Sequence, residues 1–195
     1  MNSLNILILS SSLAEESCSR LMLQYCASHP VFASDSRVNF FDLAEAEGLL
    51  NYPRSLTHPL AGRLKAAFED ADAILIGCGI YMWRPCASVF SALEYGLNGD
   101  CPRRHQPVLL LSAAGSHRAH LAADNLALSI CHEIGAMLIA PPLVGAGADV
   151  DAKLGTLAPA LRLRIDRTLE VLVHHARAAQ ALWRRQASAP LPVNA

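Results

Sequence analysis

The chain has 195 residues, 52% of them hydrophobic, and a formal net charge of −1. This length suits one domain with a sizeable core, and the near-neutral charge provides no basic field to collect nucleic acid or a membrane surface. No apolar run is long enough to span a membrane, and no positive charge precedes the first apolar run at Leu4, so no secretory signal is predicted. The six cysteines form no CxxC pair, and we expect reduced thiols and a cytoplasmic protein.

Apolar strands and amphipathic helices alternate along the chain. The aliphatic runs predict strands at residues 4–9, 37–43, 72–79, 107–115 and 136–146, the last one broken at Pro141-Pro142. Helical stripes and caps predict helices at residues 17–28, 60–71, 85–97, 116–135 and 157–185. Pro85 is expected in the first turn of the third helix, and Gly135 at the end of the fourth. We expect one domain over residues 1–186 and a disordered tail over residues 187–195.

This alternation predicts an α/β fold, with a parallel sheet covered by helices on both faces. In such sheets, ligands bind at the carboxyl ends of the strands, where the strand order reverses. The loops after the first, third and fourth strands should therefore build the site. Their sequences are SSSLAEES, GIYMWRP and SAAGSH.

The first loop is rich in hydroxyl groups and leads into a helix. It has neither the G-x-G-x-x-G nor the G-x-x-x-x-G-K-[ST] pattern of nucleotide-binding loops. Serine hydroxyls and the free N–H groups of a helix N-terminus can nevertheless hold a phosphate. Two interpretations stay open on spacing alone. The loop is either a phosphate site, or a helix cap by Ser17 with the other serines solvating the loop.

Three motifs, in order along the chain, resemble those of the NADPH-dependent FMN reductase family. Residues 11–20 (SSLAEESCSR) align without gaps to the family's G-S-x-R-x-x-S-x-[NS]-R. Residues 79–85 (GIYMWRP) are similar to P-x-Y-N-x-x-x-P, with Tyr81 on the family tyrosine, and residues 112–115 (SAAG) to S-x-S/G-G. The resemblance covers residues 4 to about 150. It implies a flavodoxin-like three-layer sandwich with a five-stranded parallel sheet in the order 2-1-3-4-5.

The same resemblance implies an enzyme that passes electrons from NAD(P)H through FMN to flavin, quinone or another small acceptor. It also implies a homodimer or tetramer, and the near-neutral charge and short apolar runs already predict no nucleic-acid or membrane partner. The flavin carries the reaction, so no catalytic acid–base residue is expected. The cofactor-binding residues implied by the three loops are Ser10, Ser12, Ser17, Cys18, Ser19, Ile80, Tyr81, Met82, Trp83, Ser112, Ala114, Gly115 and His117.

Several positions depart from the family pattern. The family's loop arginine is Ala14 here, its asparagine after the tyrosine is Met82, and its proline is Gly79. The phosphate would then depend on the serines, the helix N-terminus, and Arg20 or Arg84. These departures leave open a binding or interaction module that has lost tight flavin binding. A flavin electron carrier is a further alternative, disfavoured because the chain lacks a strongly acidic composition.

Two groups of side chains have competing interpretations. Tyr81 and Trp83 either form an apolar wall for the flavin ring or pack on neighbouring helices or a partner chain. His117 and His120 share a helix face at a spacing that suits a metal, but no third ligand is evident near them. No metal site is therefore predicted.

Overall fold

A mostly parallel sheet forms the centre of the fold in the computed structural model, which describes residues 3–46, 59–97 and 105–188. The strands are β1 Leu4–Ser10, β2 Ser36–Asp42, β3 Ala73–Tyr81, β4 Arg84–Pro85, β5 Pro107–Ala114, β6 Met137–Leu138, β7 Leu143–Ala146, β8 Val150–Asp151 and β9 Thr156–Leu157. The helices are α1 Cys18–Ala27, α2 Pro59–Asp70, α3 Ala87–Gly96, α4 Asp124–Ile134 and α5 Pro159–Ser188. None of the helices in these ranges is long and apolar enough to cross a membrane.

The strand order is β2-β1-β3-β5-β6, and β7 also pairs in parallel with β5. This confirms the predicted α/β class, and the order agrees with 2-1-3-4-5 once the fifth predicted strand is divided into β6 and β7. The sheet has seven strands rather than five. The division falls at Pro141-Pro142, as expected, because proline has no N–H group for a central ladder. The other additional strand is β4.

Each face of the sheet packs against its own set of helices. One apolar cluster joins Leu7, Leu9 and Ile74 to α2, α3 and α4. The other joins Ile6, Leu75 and Leu109 to α1 and α5. Alternate residues of a strand point to opposite faces, so the unbroken aliphatic runs of β1, β3 and β5 supply both clusters. The carboxyl ends of these strands meet at one edge.

The third predicted helix begins later than expected. Pro85 lies in β4, opposite Ile80 in an antiparallel pair, and not in a first helical turn. Met82 and Trp83 connect the two strands and have φ values of 49° and 62°. Positive φ at both central residues defines the two-residue turn that favours a hairpin. This turn reverses the chain before α3 can start at Ala87.

The fourth predicted helix is divided into two pieces. Residues His117–Leu121 form a 3-10 helix capped by Ser116, and α4 starts at Asp124. Gly135 ends α4 in the left-handed region, with φ at 61°, as predicted. The last helix extends to Ser188, two residues beyond the predicted domain boundary. Residues 189–195 of the expected tail lie outside the described residues.

Candidate functional site

A cleft of about 340 Å³ opens where β1, β3, β5 and β7 reach their carboxyl ends. Four segments of the chain line it, one after each of these strands. The lining residues are Ser12, Ala14, Glu16, Ser17, Cys18, Ser19, Gly79, Ile80, Tyr81, Ala113, Ala114, Gly115, Gly145, Ala146, Gly147 and Val150. The cleft therefore brings together the three predicted loops and adds a fourth.

The serines of the first loop surround the N-terminus of α1. Ser17 is the N-cap, and its Oγ accepts the backbone N–H of Arg20 at 3.1 Å. Ser17 Oγ also lies 3.2 Å from Ser19 Oγ, and Ser12 Oγ accepts the N–H of Ala14 at 3.3 Å. All three serines are buried in the wall of the cleft. Both interpretations of the loop are thus compatible with the geometry, since capping leaves hydroxyl hydrogens available to a ligand.

Arg20 holds the first loop in shape from behind. Its Nε donates to Asp42 Oδ2 at 2.6 Å, and both side chains are largely buried, at 12% and 11% exposure. Its Nη1 donates to the carbonyls of Ala14 (2.7 Å) and Glu15 (3.1 Å), and its Nη2 to that of Ser12 (2.7 Å). Arg20 is absent from the cleft lining, so it is a positioning residue here and not a free cation for a ligand.

Two residues of the first loop serve the framework instead of lining the cleft. Ser11 Oγ donates to the carbonyl of Gly77 at 2.7 Å, which joins the loop to β3. Ser10, at the end of β1, is completely buried. Within the described ranges, its Oγ has no hydrogen-bond partner. The predicted role of Ser10 in binding stays a prediction.

The second loop contributes one wall and a protruding hairpin. A side chain at Gly79 would collide with the Tyr81 ring, since a Cβ there would lie 2.8 Å from Tyr81 Cε2. The ring therefore lies back across Gly79 and borders the cleft. Tyr81, Met82 and Trp83 are 61%, 93% and 64% exposed. Met82 does not line the cleft.

A second cavity, of about 560 Å³, lies behind this hairpin. Trp83 and Arg84 line it together with Pro85, Phe90 and Leu121. Arg84 therefore lies at the second cavity and not at the serines of the first loop, although we considered it as a phosphate ligand from the sequence. The structure separates the predicted second-loop residues into two groups, Ile80 and Tyr81 at the cleft and Trp83 at the second cavity.

The third loop provides small residues and a polar bridge at the rim. Ala114 and Gly115 line the cleft, and a Cβ at Gly115 would meet nothing within 4 Å. Ser112 is fully buried, and its Oγ lies 3.5 Å from the carbonyl of Leu143, which it faces instead of the cleft. His117 Nε2 lies 2.9 Å from Asp149 Oδ2 and links this loop to the segment after β7.

The fourth segment, Gly145 to Val150, was missed from the sequence. Apart from Asp149, it carries no charged or hydroxyl side chain that could have indicated a ligand. Its position follows from β7, which pairs with β5 from Leu111↔Leu143 to Ala114↔Ala146. The signal that could have found it is positional, because the fifth strand of a parallel sheet must also end at this edge. Cys18 Sγ contacts the carbonyl of Val150 at 3.8 Å and closes this side.

The lining suits a flat ligand with polar groups at one end. Gly115 and Gly147 leave open space at the cleft surface, and Ile80 and Tyr81 offer an apolar border. The hydroxyls and the helix N-terminus lie at the other end. A flavin mononucleotide has this shape, so these residues fit the group implied by the sequence. Among the described residues, no cluster of three or more His, Cys, Asp or Glu side chains is arranged to hold a metal, and the side chain of His120 lies outside the described part.

The family model for NADPH-dependent FMN reductase matches residues 4–151. A comparison with curated protein sequences found no match. The apo form of an NADH:FMN oxidoreductase (EMOB) shares 16% identity over 90% of each chain, with a TM-score of 0.70. FerB, an NAD(P)H:acceptor oxidoreductase from Paracoccus denitrificans, shares 16% identity over 88% of this chain and 98% of its own, with a TM-score of 0.63.

A flavodoxin from the domain Archaea covers 89% of this chain and 99% of its own at 10% identity, with a TM-score of 0.57. Identities this low carry information about the fold alone. The flavodoxin-like fold implied by the three motifs is confirmed.

Proposed function

The chain belongs to the NADPH-dependent FMN reductase family, and from this premise we propose that it oxidises NAD(P)H and passes the electrons through FMN to flavin, quinone or another small acceptor. The observation that carries the proposal is the cleft at the carboxyl edge of the sheet. It combines a hydroxyl-lined helix N-terminus with small and apolar walls, on the loops where the family motifs lie.

Different residues of the cleft would contact the phosphate and the ring of FMN. Ser12, Ser17 and Ser19, at the N-terminus of α1, would hold the phosphate end. Ile80 and Tyr81 would border the ring on one side, and Ala114 and Gly115 would leave room for it on the other. A bound flavin supplies the ability to accept a hydride from a nicotinamide and release electrons to a second substrate.

The protein residues then orient the ring and exclude water from one of its faces. The side of the cleft bordered by Tyr81 is open to solvent, and the nicotinamide or the acceptor would approach the ring from there. Glu16 is the charged residue in the described lining, and it lies with the serines at the phosphate end. In this proposal the flavin carries the reaction, so we assign no acid–base role to a protein residue.

We further propose that the protein acts as a homodimer or tetramer in the cytoplasm. Tyr81, Met82 and Trp83 project from the hairpin beside the cleft, and exposed apolar groups of this kind are enriched in interfaces. The five cysteines in the described ranges are unpaired, which suits a reducing compartment.

One alternative is a flavodoxin-like module that has lost tight flavin binding. Ala14 and Glu16 favour it, because both line the cleft where the family places an arginine for the phosphate. In that case the serines act only as a helix cap and loop solvation. A flavin electron carrier would bind flavin but would not oxidise nicotinamide.

The deciding experiment measures flavin binding and nicotinamide oxidation on the purified chain. We expect saturable FMN binding in titrations, and NADH or NADPH oxidation that depends on added FMN. Tyr81→Ala should weaken FMN binding with the fold intact by circular dichroism. Leu182→Ala is the matched control, since Leu182 is an exposed apolar residue on α5 near Gln180, which contacts Ser3 at the opposite edge of the sheet.

Each contrary result points to a different conclusion. Absence of FMN binding would refute the reductase and favour the non-flavin module. Binding without nicotinamide oxidation would indicate a carrier. Unchanged FMN affinity in Tyr81→Ala would place the ring elsewhere in the cleft.

A further inference from the structure

The lining of the cleft carries a negative charge, whereas a site that selects a phosphate usually carries a positive one. Its lining in the described residues contains Glu16 and no lysine, arginine or histidine. A dianionic phosphate at the serines would therefore lie near a carboxylate and meet no cationic side chain of the wall. Position 14, where the family motif has arginine, carries a methyl group.

Arg20 cannot compensate for this absence. Its charge is paired with Asp42, and its remaining N–H groups donate to the carbonyls of Ser12, Ala14 and Glu15. A phosphate could recruit this guanidinium only by breaking a largely buried ion pair and releasing the loop. The fold therefore uses Arg20 for the shape of the loop and leaves the cleft without its charge.

Lys153 is the cation that contacts the loop from the other side. Its Nζ lies 3.9 Å from Glu16 Oε2, and both side chains are exposed. An exposed pair at this distance is weak and screened by salt, so Lys153 at most offsets Glu16. Glu15 adds a further exposed carboxylate to the same loop.

The attractive groups that remain are uncharged donors and the helix dipole. Ser12 accepts a backbone N–H group, which leaves its O–H to donate, and Ser17 and Ser19 share one hydrogen bond, which leaves one of their two O–H groups to donate. Hydroxyl donors carry no charge, and they can bind the hydroxyls of a ribityl chain as well as a phosphate oxygen. The dipole of α1 favours an anion, and the carboxylate of Glu16 opposes it.

We propose that this cleft accepts flavin irrespective of its phosphate, so that riboflavin and FMN bind with similar affinity and both serve as exchangeable substrates. The inference rests on the proposed function and identifies its substrate class. Ala14 and Glu16 are the residues that determine it, the first by lacking a cation and the second by its carboxylate.

The test compares riboflavin and FMN in titrations of the full chain, with Ala14→Arg and Glu16→Gln. We expect the two dissociation constants of the unmodified protein to agree within about threefold, because the dipole and Glu16 oppose each other. Ala14→Arg should tighten FMN by about tenfold to a hundredfold, the effect of one charge-assisted bond, and leave riboflavin unchanged. Glu16→Gln should also tighten FMN binding, by a smaller factor than Ala14→Arg, and leave riboflavin binding unchanged.

Leu13→Arg is the matched control for Ala14→Arg. Leu13 is an exposed neighbour in the same loop, outside the cleft lining, so a cation there should not change the FMN-to-riboflavin ratio. A tenfold or greater preference for FMN in the unmodified protein would overturn the inference while the reductase proposal stands. If Lys153→Ala removed that preference, Lys153 would be the phosphate ligand. Failure of both flavins to bind would overturn the inference together with the proposed function.

Discussion

Arg20→Ala should unfold the first loop locally and destabilise the whole domain. The substitution removes the Nε–Asp42 bond at 2.6 Å and three bonds to loop carbonyls. Removing one partner of a buried ion pair costs about 3–5 kcal/mol, because the other charge stays buried. Both partners here retain slight exposure, at 12% and 11%, so the lower end of about 3 kcal/mol applies. The loop carbonyls recover part of their loss from water, since two of those bonds are exposed.

Urea denaturation of Arg20→Ala, Asp42→Asn and the double variant measures this cost. Asp42 retains its bond from the N–H of Ala44, so asparagine at that position keeps the local turn. We expect the two substitutions to be coupled by at least about 1 kcal/mol, as contacting residues are. Arg20→Lys keeps the charge but cannot reach Asp42 and three carbonyls together. Its free energy of unfolding should therefore lie between those of the unmodified protein and Arg20→Ala.

Flavin titration of the same variants tests whether Arg20 affects binding through the conformation of the first loop or through direct contact with the ligand. Arg20→Ala should weaken binding of riboflavin and FMN equally, because Arg20 shapes the loop and does not contact the ligand. A destabilisation below about 1 kcal/mol, with coupling within the usual additivity error, would refute the positioning role of Arg20. A selective loss of FMN binding would instead show that Arg20 reaches the phosphate.

Three further outcomes follow from other parts of the molecule. Met82→Asn should raise the free energy of unfolding by about 1 kcal/mol in urea, because asparagine tolerates the left-handed backbone at φ 49° better than methionine does, and lower stability would contradict the assigned turn. Burial raises the pKa of Cys26 to about 12 and also raises the pKa of Cys78. A brief alkylation of the native protein near pH 8 should therefore spare both thiols and modify the half-buried Cys18, Cys86 and Cys131 before them, since the thiolate is the reactive form; early labelling of Cys26 in mass spectra would speak against this. Light scattering at micromolar concentration should give at least a dimer that Trp83→Ser weakens and Leu182→Ser does not, whereas a monomer would exclude the oligomer.

The sheet was predictable because its central strands are buried on both faces. β1, β3 and β5 appear as unbroken aliphatic runs, and burial on both faces is the cause of that pattern. The hairpin of β3 and β4 was not predictable in the same way. Its turn places Met82 and Trp83 at positive φ, where glycine or asparagine is expected, so no local signal indicated it.

The site was predictable to the extent that it follows strand ends. The loops after β1, β3 and β5 line the cleft, as expected from the carboxyl edge of a parallel sheet. Which side chains of each loop face the cleft could not be inferred, because this depends on backbone direction. Ser11 and Ser112 direct their hydroxyls to backbone carbonyls, whereas Ser12 and Ser17 face the cleft.

In the first loop, the shape of the backbone and the charge offered to a ligand depend on different residues. Its shape depends on Arg20, which binds the carbonyls of Ser12, Ala14 and Glu15 from the side of β2. The charge that the cleft wall offers a ligand depends on Ala14 and Glu16, which both line the cleft and take no part in that network through their side chains. Because the two are held by different residues, losing the cation at Ala14 need not disturb the loop. If the cleft binds flavin as we propose, its phosphate preference can therefore change by one substitution at position 14 while the Arg20 network is retained.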